Sequence, residues 1–392
     1  MNVVASTADF RRAVNIATRV TERRNTIPII GGVRCHANGS LEVVGTDLDI
    51  LLAVKVPRQP GPDVSFALLN PREVVHAVHA AGSNDVAIAP RDGMVDIVSG
   101  ALSVSSATLP ADEFPMSLDR DVVQSFGATL STEHLTEIGR VVGAMSDEAT
   151  RYYLNGLHFA SIGENRVRVT ATNGHQLYFV ELVVPDAQGA LPDGGVIIPR
   201  KAVGLLLALG KDALDGIRLS VGHAPPTNDV SSTAPPRSGA PMVSASLSMP
   251  GAEVRLVVRA IDGTFPDCQR VVPAASDRQA LLPSPDLGRA LRAISGGAKS
   301  YRAVRMDFTK PDVVNLSASH VSLNLSASID VACNHDMRGL VIGFNGGYLA
   351  SIVAAAGGGE VLLDATDPSA PAIVRNPADT AWTGVLMPMR LP

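Results

Sequence analysis

A long internal repeat constrains this chain more than any short motif does. Three amphipathic stretches begin at Thr7, Ser131 and Ser284, and three second helix signals begin at Asn70, Pro199 and Asn345. In the first set Phe10, Val14 and Ala17 recur at helical spacing, as do Leu135, Ile138, Val142 and Met145, and Ser284-Pro285 reads as N-cap and first helical residue. In the second set Asn70-Pro71 is followed by Glu73, and every member stops at a glycine: Gly82, Gly210 or Gly357. First and second helices stand about 63, 68 and 61 residues apart. Each repeat closes on an apolar-proline turn, at Pro115, Pro266 and Pro388, about 45, 67 and 43 residues further on. The excess in the middle repeat coincides with residues 222–243, rich in Pro, Ser, Thr and Gly. Such a segment cannot bury enough apolar surface to order itself and reads as a flexible surface insertion.

Between the helices lie alternating, β-branched segments, so each repeat reads as two helices and about eight short strands. The expected fold class is α+β, with helices on one face of antiparallel sheets, in three similar domains at 1–122, 123–277 and 278–392. A chain of 392 residues is too long for one core and suits this division. No window holds 18 uninterrupted apolar residues, and the first residues lack the apolar core of a signal peptide. Cys35, Cys268 and Cys333 are odd in number and far apart, which excludes a disulfide framework or a CxxC metal site. A cytoplasmic protein without membrane contact is expected. The formal net charge of −5 argues at first against a nucleic-acid partner, although a total says nothing about where charges sit.

The chemistry-bearing motifs are few. Neither GxGxxG nor GxxxxGK[ST] occurs, and no metal-ligand spacing is present, so no cofactor and no metal are expected. Cys333-Asn334-His335-Asp336 places potential ligands side by side, but adjacent strand residues point to opposite faces. His76 and His79 share one helix and read as surface residues. The most distinctive stretch is Arg151 to Gly156, followed by Ala171 to Leu177, in which Asn-Gly marks a tight turn. That turn reads either as a simple hairpin or, with Leu177, as one wall of a binding surface. The chain end is apolar, with Val385, Leu386, Met387, Met389 and Leu391, and methionine suits an adaptable surface.

Taken together, RRNTIPII (23–30), GTDLDI (45–50), RYYLNG (151–156), TNGHQL (172–177), VIIPRK (196–201), IDGTFPDCQRVVP (261–273) and the terminal VLMPMRL resemble, in order, the bacterial β sliding clamp family of DNA polymerase III. The resemblance spans essentially the whole chain. It implies a non-catalytic processivity subunit, three similar domains and a head-to-tail homodimer closed into a ring around duplex DNA. The ring removes the charge objection, since a sliding protein needs modest positive charge around a hole and no grip on bases. The first helices would line that hole with Arg11, Arg12, Arg19, Arg140, Arg289 and Arg292. By family position Arg24, Tyr152, Tyr153, Arg200 and Lys201 would also touch DNA, while Val104 and Ser106 would face Ser295 and Gly296 across the subunit contact.

The family further implies a cleft for short linear peptides from the polymerase α subunit, the clamp loader, other polymerases and repair proteins. Its matching positions are Leu154, Thr172, Gly174, His175, Gln176, Leu177, Pro266, Arg270 and Val271. Tyr301, Asn345, Tyr348, Val385, Leu386, Met387, Pro388, Met389, Arg390 and Leu391 complete it. Met and Leu would form anchoring pockets, and Asn345 and Arg390 would bond the peptide. The usual TDGHRL becomes TNGHQL here, and Pro392 follows the usual terminal MRL. These departures motivate an alternative, a diverged clamp paralogue with its own partners or inhibitor resistance. A remoter alternative is a hydrolase using Asp47, His175 and Asp267.

Overall fold

The computed structural model describes every residue except 1, 23–25, 120–121, 224–240, 296–302, 321–324 and 392, together with the side chains of 295, 320 and 325. Arg24, Gly296, Tyr301, the Ser295 side chain and most of the expected insertion therefore lie outside the described residues. Among those described, no helix is long and apolar enough to cross a membrane.

All six helices of the repeat are present: α1 (Thr7–Ala17), α3 (Pro71–Ala81), α4 (Thr132–Val141), α5 (Arg200–Gly210), α6 (Ser284–Ser295) and α7 (Gly346–Ala356). A single extra turn, α2, spans Pro28–Gly31. The Ser6 hydroxyl accepts from Asp9 N at the start of α1, and Asn345 Oδ1 accepts from Gly347 and Tyr348 N at the start of α7. Gly82 ends α3 in the left-handed conformation that glycine permits. Two expected caps are not made. Asn70 bonds no helix N–H and instead reaches the Ser106 hydroxyl at 3.4 Å, while α6 begins at Ser284 itself, whose Oγ is buried without a partner.

The chain packs into two compact units that cut across the three repeats. The first comprises Met1–Thr132, Pro185–Pro192 and Lys201–Asp262, and the second the remainder. The reason lies in the strand pairing. In the first unit a 13-stranded sheet joins the first repeat to half of the second, through Ile50–Val56 against Ala252–Arg259, with Leu52 opposite Leu256. In the second unit a nine-stranded sheet joins the other half to the third repeat, through Gln176–Val183 against Asp379–Leu386, with Leu177 opposite Val385. A four-stranded sheet, Leu325–Ala332, Val313–His320, Ala303–Asp307 and Val341–Asn345, completes the second unit.

The strands Ile217–His223 and Met242–Met249 pair with each other, Gly222 opposite Met242. The insertion thus occupies a hairpin connection, and its expected end residues 222, 223, 242 and 243 belong to strands. Two glycines repeat one close approach: a Cβ on Gly32 would stand 2.3 Å from Leu68 O, and one on Gly156 would stand 2.3 Å from Ile198 O. No side chain fits between strands at that distance.

Candidate functional site

The TNGHQL turn is built from its own side chains. Thr172 Oγ1 donates to Gln176 O at 2.8 Å and accepts from Gly174 N, while Asn173 Oδ1 accepts from His175 and Gln176 N. Gly174 sits at φ +87°, which needs glycine or strain. The first repeat contains the same device. Thr46 Oγ1 donates to Ile50 O at 2.8 Å, Asp47 Oδ1 accepts from Asp49 and Ile50 N, and Leu48 takes φ +82°.

In the second unit this turn borders a cavity of about 310 Å³. Of the residues expected by family position, Leu154, Thr172, Gly174, His175, Gln176, Leu177, Pro266, Val271, Val385 and Met387 line it. The short 3-10 helix Ala149–Leu154 supplies one wall, the short 3-10 helix Cys268–Val271 another, and the end of Asp379–Leu386 the floor. Met387 N donates to His175 O at 2.9 Å, which fixes the chain end against the turn. Tyr348 stacks on His175 at 6.0 Å, with Asn345 committed to capping α7 beneath it. Met389 N donates to Gly343 O at 2.8 Å, and Leu391 packs on the same glycine, so the tail follows the strand Val341–Asn345. Pro388 is partly exposed and Arg390 exposed on that tail. Leu386 is fully buried and does not line the cavity, and Arg270 lies outside it, paired with Asp267 at 3.0 Å.

Arg151, Asp267 and Cys268 line the cavity although sequence reasoning did not assign them to it, and so does Tyr153, expected at DNA. The signal was contiguity, since all four sit inside the two motif runs already singled out. Burial, with help from the Asp267 charge, pushes the Cys268 thiol up to about 11, so it is a neutral wall and not a nucleophile.

Several arginines expected at DNA are committed elsewhere. Arg140 pairs with Glu137 and Asp379, both at 2.5 Å, donates to Ala355 O and Ala356 O, and lies 5.2 Å from the centre of the Trp382 ring. Arg200 donates to Met145 O and Ser146 O at 2.8 Å. Lys201 donates to Val20 O and pairs with Asp47 at 2.5 Å. These are structural ties; those of Arg140 take the last carbonyls of α7, which have no partner within the helix. Arg289 pairs with Asp286, Arg11 is half-buried, and Tyr152 stands exposed beside Tyr153. Val104 is half-buried at its strand edge, and Ser106 is buried. The Asp47 carboxylate is occupied by Ile50 N and Lys201, and that of Asp267 by Gln269 N and Arg270. Among the described residues no group of three or more His, Cys, Asp or Glu could hold a metal ion. His335 bonds Lys310 O and packs edge-on against Phe308.

Three repeats of two helices on antiparallel sheet, with an apolar cleft sized for a few side chains, define a DNA clamp. Residues 1–119, 129–267 and 269–390 match, in turn, the N-terminal, central and C-terminal domains of the DNA polymerase III beta subunit. The Caulobacter vibrioides beta sliding clamp is 27% identical over the whole of both chains, and that of Escherichia coli K12 is 25% identical over 94% of each. Among solved structures, the Caulobacter crescentus beta subunit aligns over both full chains with a TM-score of 0.85 at 26% identity. The Bartonella birtlesii sliding clamp bound to griselimycin aligns likewise with 0.86 at 28%. The chain belongs to the DNA polymerase III beta subunit family, and as a β sliding clamp it is the non-catalytic subunit that confers processivity on DNA polymerase III.

Proposed function

We propose that two copies close head to tail into a cytoplasmic ring around duplex DNA, and that the cleft docks short linear peptides of the polymerase α subunit, the clamp loader and repair proteins. The observation that carries the ring is the strand pairing at the repeat junctions. The strand that leaves the Thr46 turn pairs with the last strand of the second repeat, and the strand that leaves the Thr172 turn pairs with the last strand of the third. Thr46 stands opposite Leu51, Thr172 opposite Leu177 and His320 opposite Leu325, so Leu325–Ala332 repeats those two strands. Its counterpart is the last strand of the first repeat, Leu102–Leu109. Among the described residues Leu325–Ala332 pairs on one side only, and Leu102–Leu109 is covered on its second side only at Thr108 and Leu109. Two unfinished junctions on one chain are completed by a second copy through a heterologous contact that closes after a half turn.

Val104 lies on the open edge, so a charge there meets the incoming strand. Val104→Glu is expected to weaken the dimer at least about tenfold, because an inward charge blocks edge pairing. The assay is retention on nicked circular DNA: wild type stays on circles and runs off once they are linearised, and the variant is lost from both. Equal release of the wild type from circular and linear DNA refutes the ring.

The cleft reading rests on its lining of Leu154, Leu177, Val271, Val385 and Met387, which suits one or two apolar anchors. The griselimycin complex of the Bartonella clamp supports a ligand-binding role for this fold. For DNA, Arg19 stands exposed just beyond the end of α1, whereas Arg12 is half-buried and paired with Asp9, Arg140 is held by four acceptors, and Arg200, though exposed, is tied to Met145 O and Ser146 O.

A further inference from the structure

We propose that Asp47 limits contact with DNA: it holds the Lys201 ammonium, and a phosphate gains that charge only when the carboxylate is removed. The proposal rests on the reading of the chain as a ring on duplex DNA, and adds the residue that sets how weakly the ring touches it. Lys201 Nζ donates to Val20 O at 2.8 Å and to Asp47 Oδ2 at 2.5 Å, with Glu22 Oε1 3.9 Å away. Only 13% of the Asp47 side chain is exposed, so salt screens this pair less than one in open solvent. Arg289 with Asp286 is the contrasting case, an exposed pair within one helical turn, which contributes little and yields easily to a phosphate.

The repeat shows why the lysine stands there. Lys201 and Tyr348 lie equally far ahead of Gly210 and Gly357, the glycines at which α5 and α7 close. Tyr348 reaches back to the turn of the preceding repeat and stacks on His175, and Lys201 reaches back to the corresponding turn and bonds Asp47. One place in the repeat thus ties a second helix to the turn before it, by ring contact at one junction and by charge at the other. The residue just ahead, Arg200, is committed within its own repeat to Met145 O and Ser146 O, as Arg72 is to Thr18 O at 2.7 Å. A sliding ring gains from cations held in this way, since every phosphate that a cation neutralises is a contact that movement must break. Asp47 uses its two oxygens separately: Oδ1 accepts from Asp49 and Ile50 N and closes the turn, and Oδ2 takes the lysine. Asn173 closes the equivalent turn through the same two N–H positions with an amide. Asp47→Asn therefore keeps the turn and frees Lys201.

The test is fluorescence anisotropy of the full-length protein on a labelled blunt duplex, from about 25 to about 200 mM potassium chloride. Asp47→Asn is expected to bind about three- to tenfold more tightly than wild type at the lowest salt, with a slope of log affinity against log salt steeper by about 0.9. Glu22→Gln removes the same charge beside the lysine without freeing it, and is expected to change affinity less than about twofold. In a Lys201→Met background, Asp47→Asn is expected to add less than about twofold and no slope. An unchanged slope in Asp47→Asn overturns the proposal. So does an equal gain from Glu22→Gln, or a gain that survives Lys201→Met, since either shows the carboxylates repelling DNA directly. Absence of salt-dependent binding in wild type and Asp47→Asn alike refutes the DNA role itself, and the proposal with it.

Discussion

Arg140→Ala is expected to unfold the second unit about 6–12 °C below wild type. The guanidinium serves four acceptors at once: the Glu137 and Asp379 carboxylates and the last carbonyls of α7. Only 18% of its side chain is exposed, so the pairs are poorly screened. Removal takes a charged donor from all four, leaving Asp379 its bond from Ala381 N and Ala356 O only a 3.3 Å bond from Asn376 Nδ2, and uncovers the face of Trp382, whose Nε1 is already buried without a partner. Breaking such a tie costs about 3 kcal/mol, and a unit of this size loses about 2–4 °C per kcal/mol. Arg140→Lys keeps the charge but not the fork and should recover less than half of the loss.

The deficit depends on pH with a definite sign. Burial alone would raise the Asp379 carboxyl, but its bonds to Arg140 and to Ala381 N, with the Arg140 charge, outweigh that and hold it below its ordinary 3.8. A lowered carboxyl stabilises above its unfolded value and loses that contribution as pH falls through the folded one. Scanning calorimetry should therefore show the gap between wild type and Arg140→Ala constant near neutrality and narrowing below about pH 4. A gap that does not change with pH would show that packing, not the ion pair, carries the effect.

Gly343→Val is expected to abolish about nine-tenths or more of peptide affinity while leaving the unfolding temperature nearly unchanged. A Cβ at Gly343 would stand 2.7 Å from Met389 O and from Leu391 Cδ2. The strand Val341–Asn345 is held in its sheet by Ala303–Asp307 and cannot yield, whereas the tail is a chain end and can. If the tail extends the proposed cleft beyond Met387, its release removes Met389 and Leu391 from it, and losing an apolar contact of that kind costs about 1.4 kcal/mol or more of binding. Carboxypeptidase trimming should accelerate in the variant. Full peptide affinity with a trimmed tail would show that the cavity beside Leu177 suffices.

The repeat and the six helices were legible because each leaves a local trace, whereas the cleft positions were named through the family resemblance. Gly82 and Gly357 stop helices through backbone conformation, and the TNGHQL turn is closed by residues two to four apart. The partners of the arginines expected at DNA were not legible. An amphipathic pattern shows which side of α4 is polar, but Arg140 finds its carbonyls 215 and 216 positions away, and no local rule carries that distance. The same holds for Arg200, whose acceptors lie 54 and 55 residues upstream. Ser284 misled for a different reason: Pro285 fits the first turn of a helix, yet the backbone was already helical one residue earlier, which leaves its hydroxyl buried.

The two open strand edges also bear on the life of a newly made copy before it meets another. An unpaired edge recruits any extended chain, and many proteins blunt theirs with lysine or proline. Here most outward positions are small and polar instead, Ser103 and Ser105 on Leu102–Leu109 and Ser326 and Ser328 on Leu325–Ala332, and the one acid among them, Asp330, is paired with Lys310. Serine offers a solitary copy little apolar surface with which to aggregate, yet it raises no barrier of bulk or charge against the correct neighbour. In the proposed ring, solubility before assembly and reversibility after it would draw on the same serines, two of which, Ser105 and Ser328, are already bonded within the chain to Asp96 and Asn315.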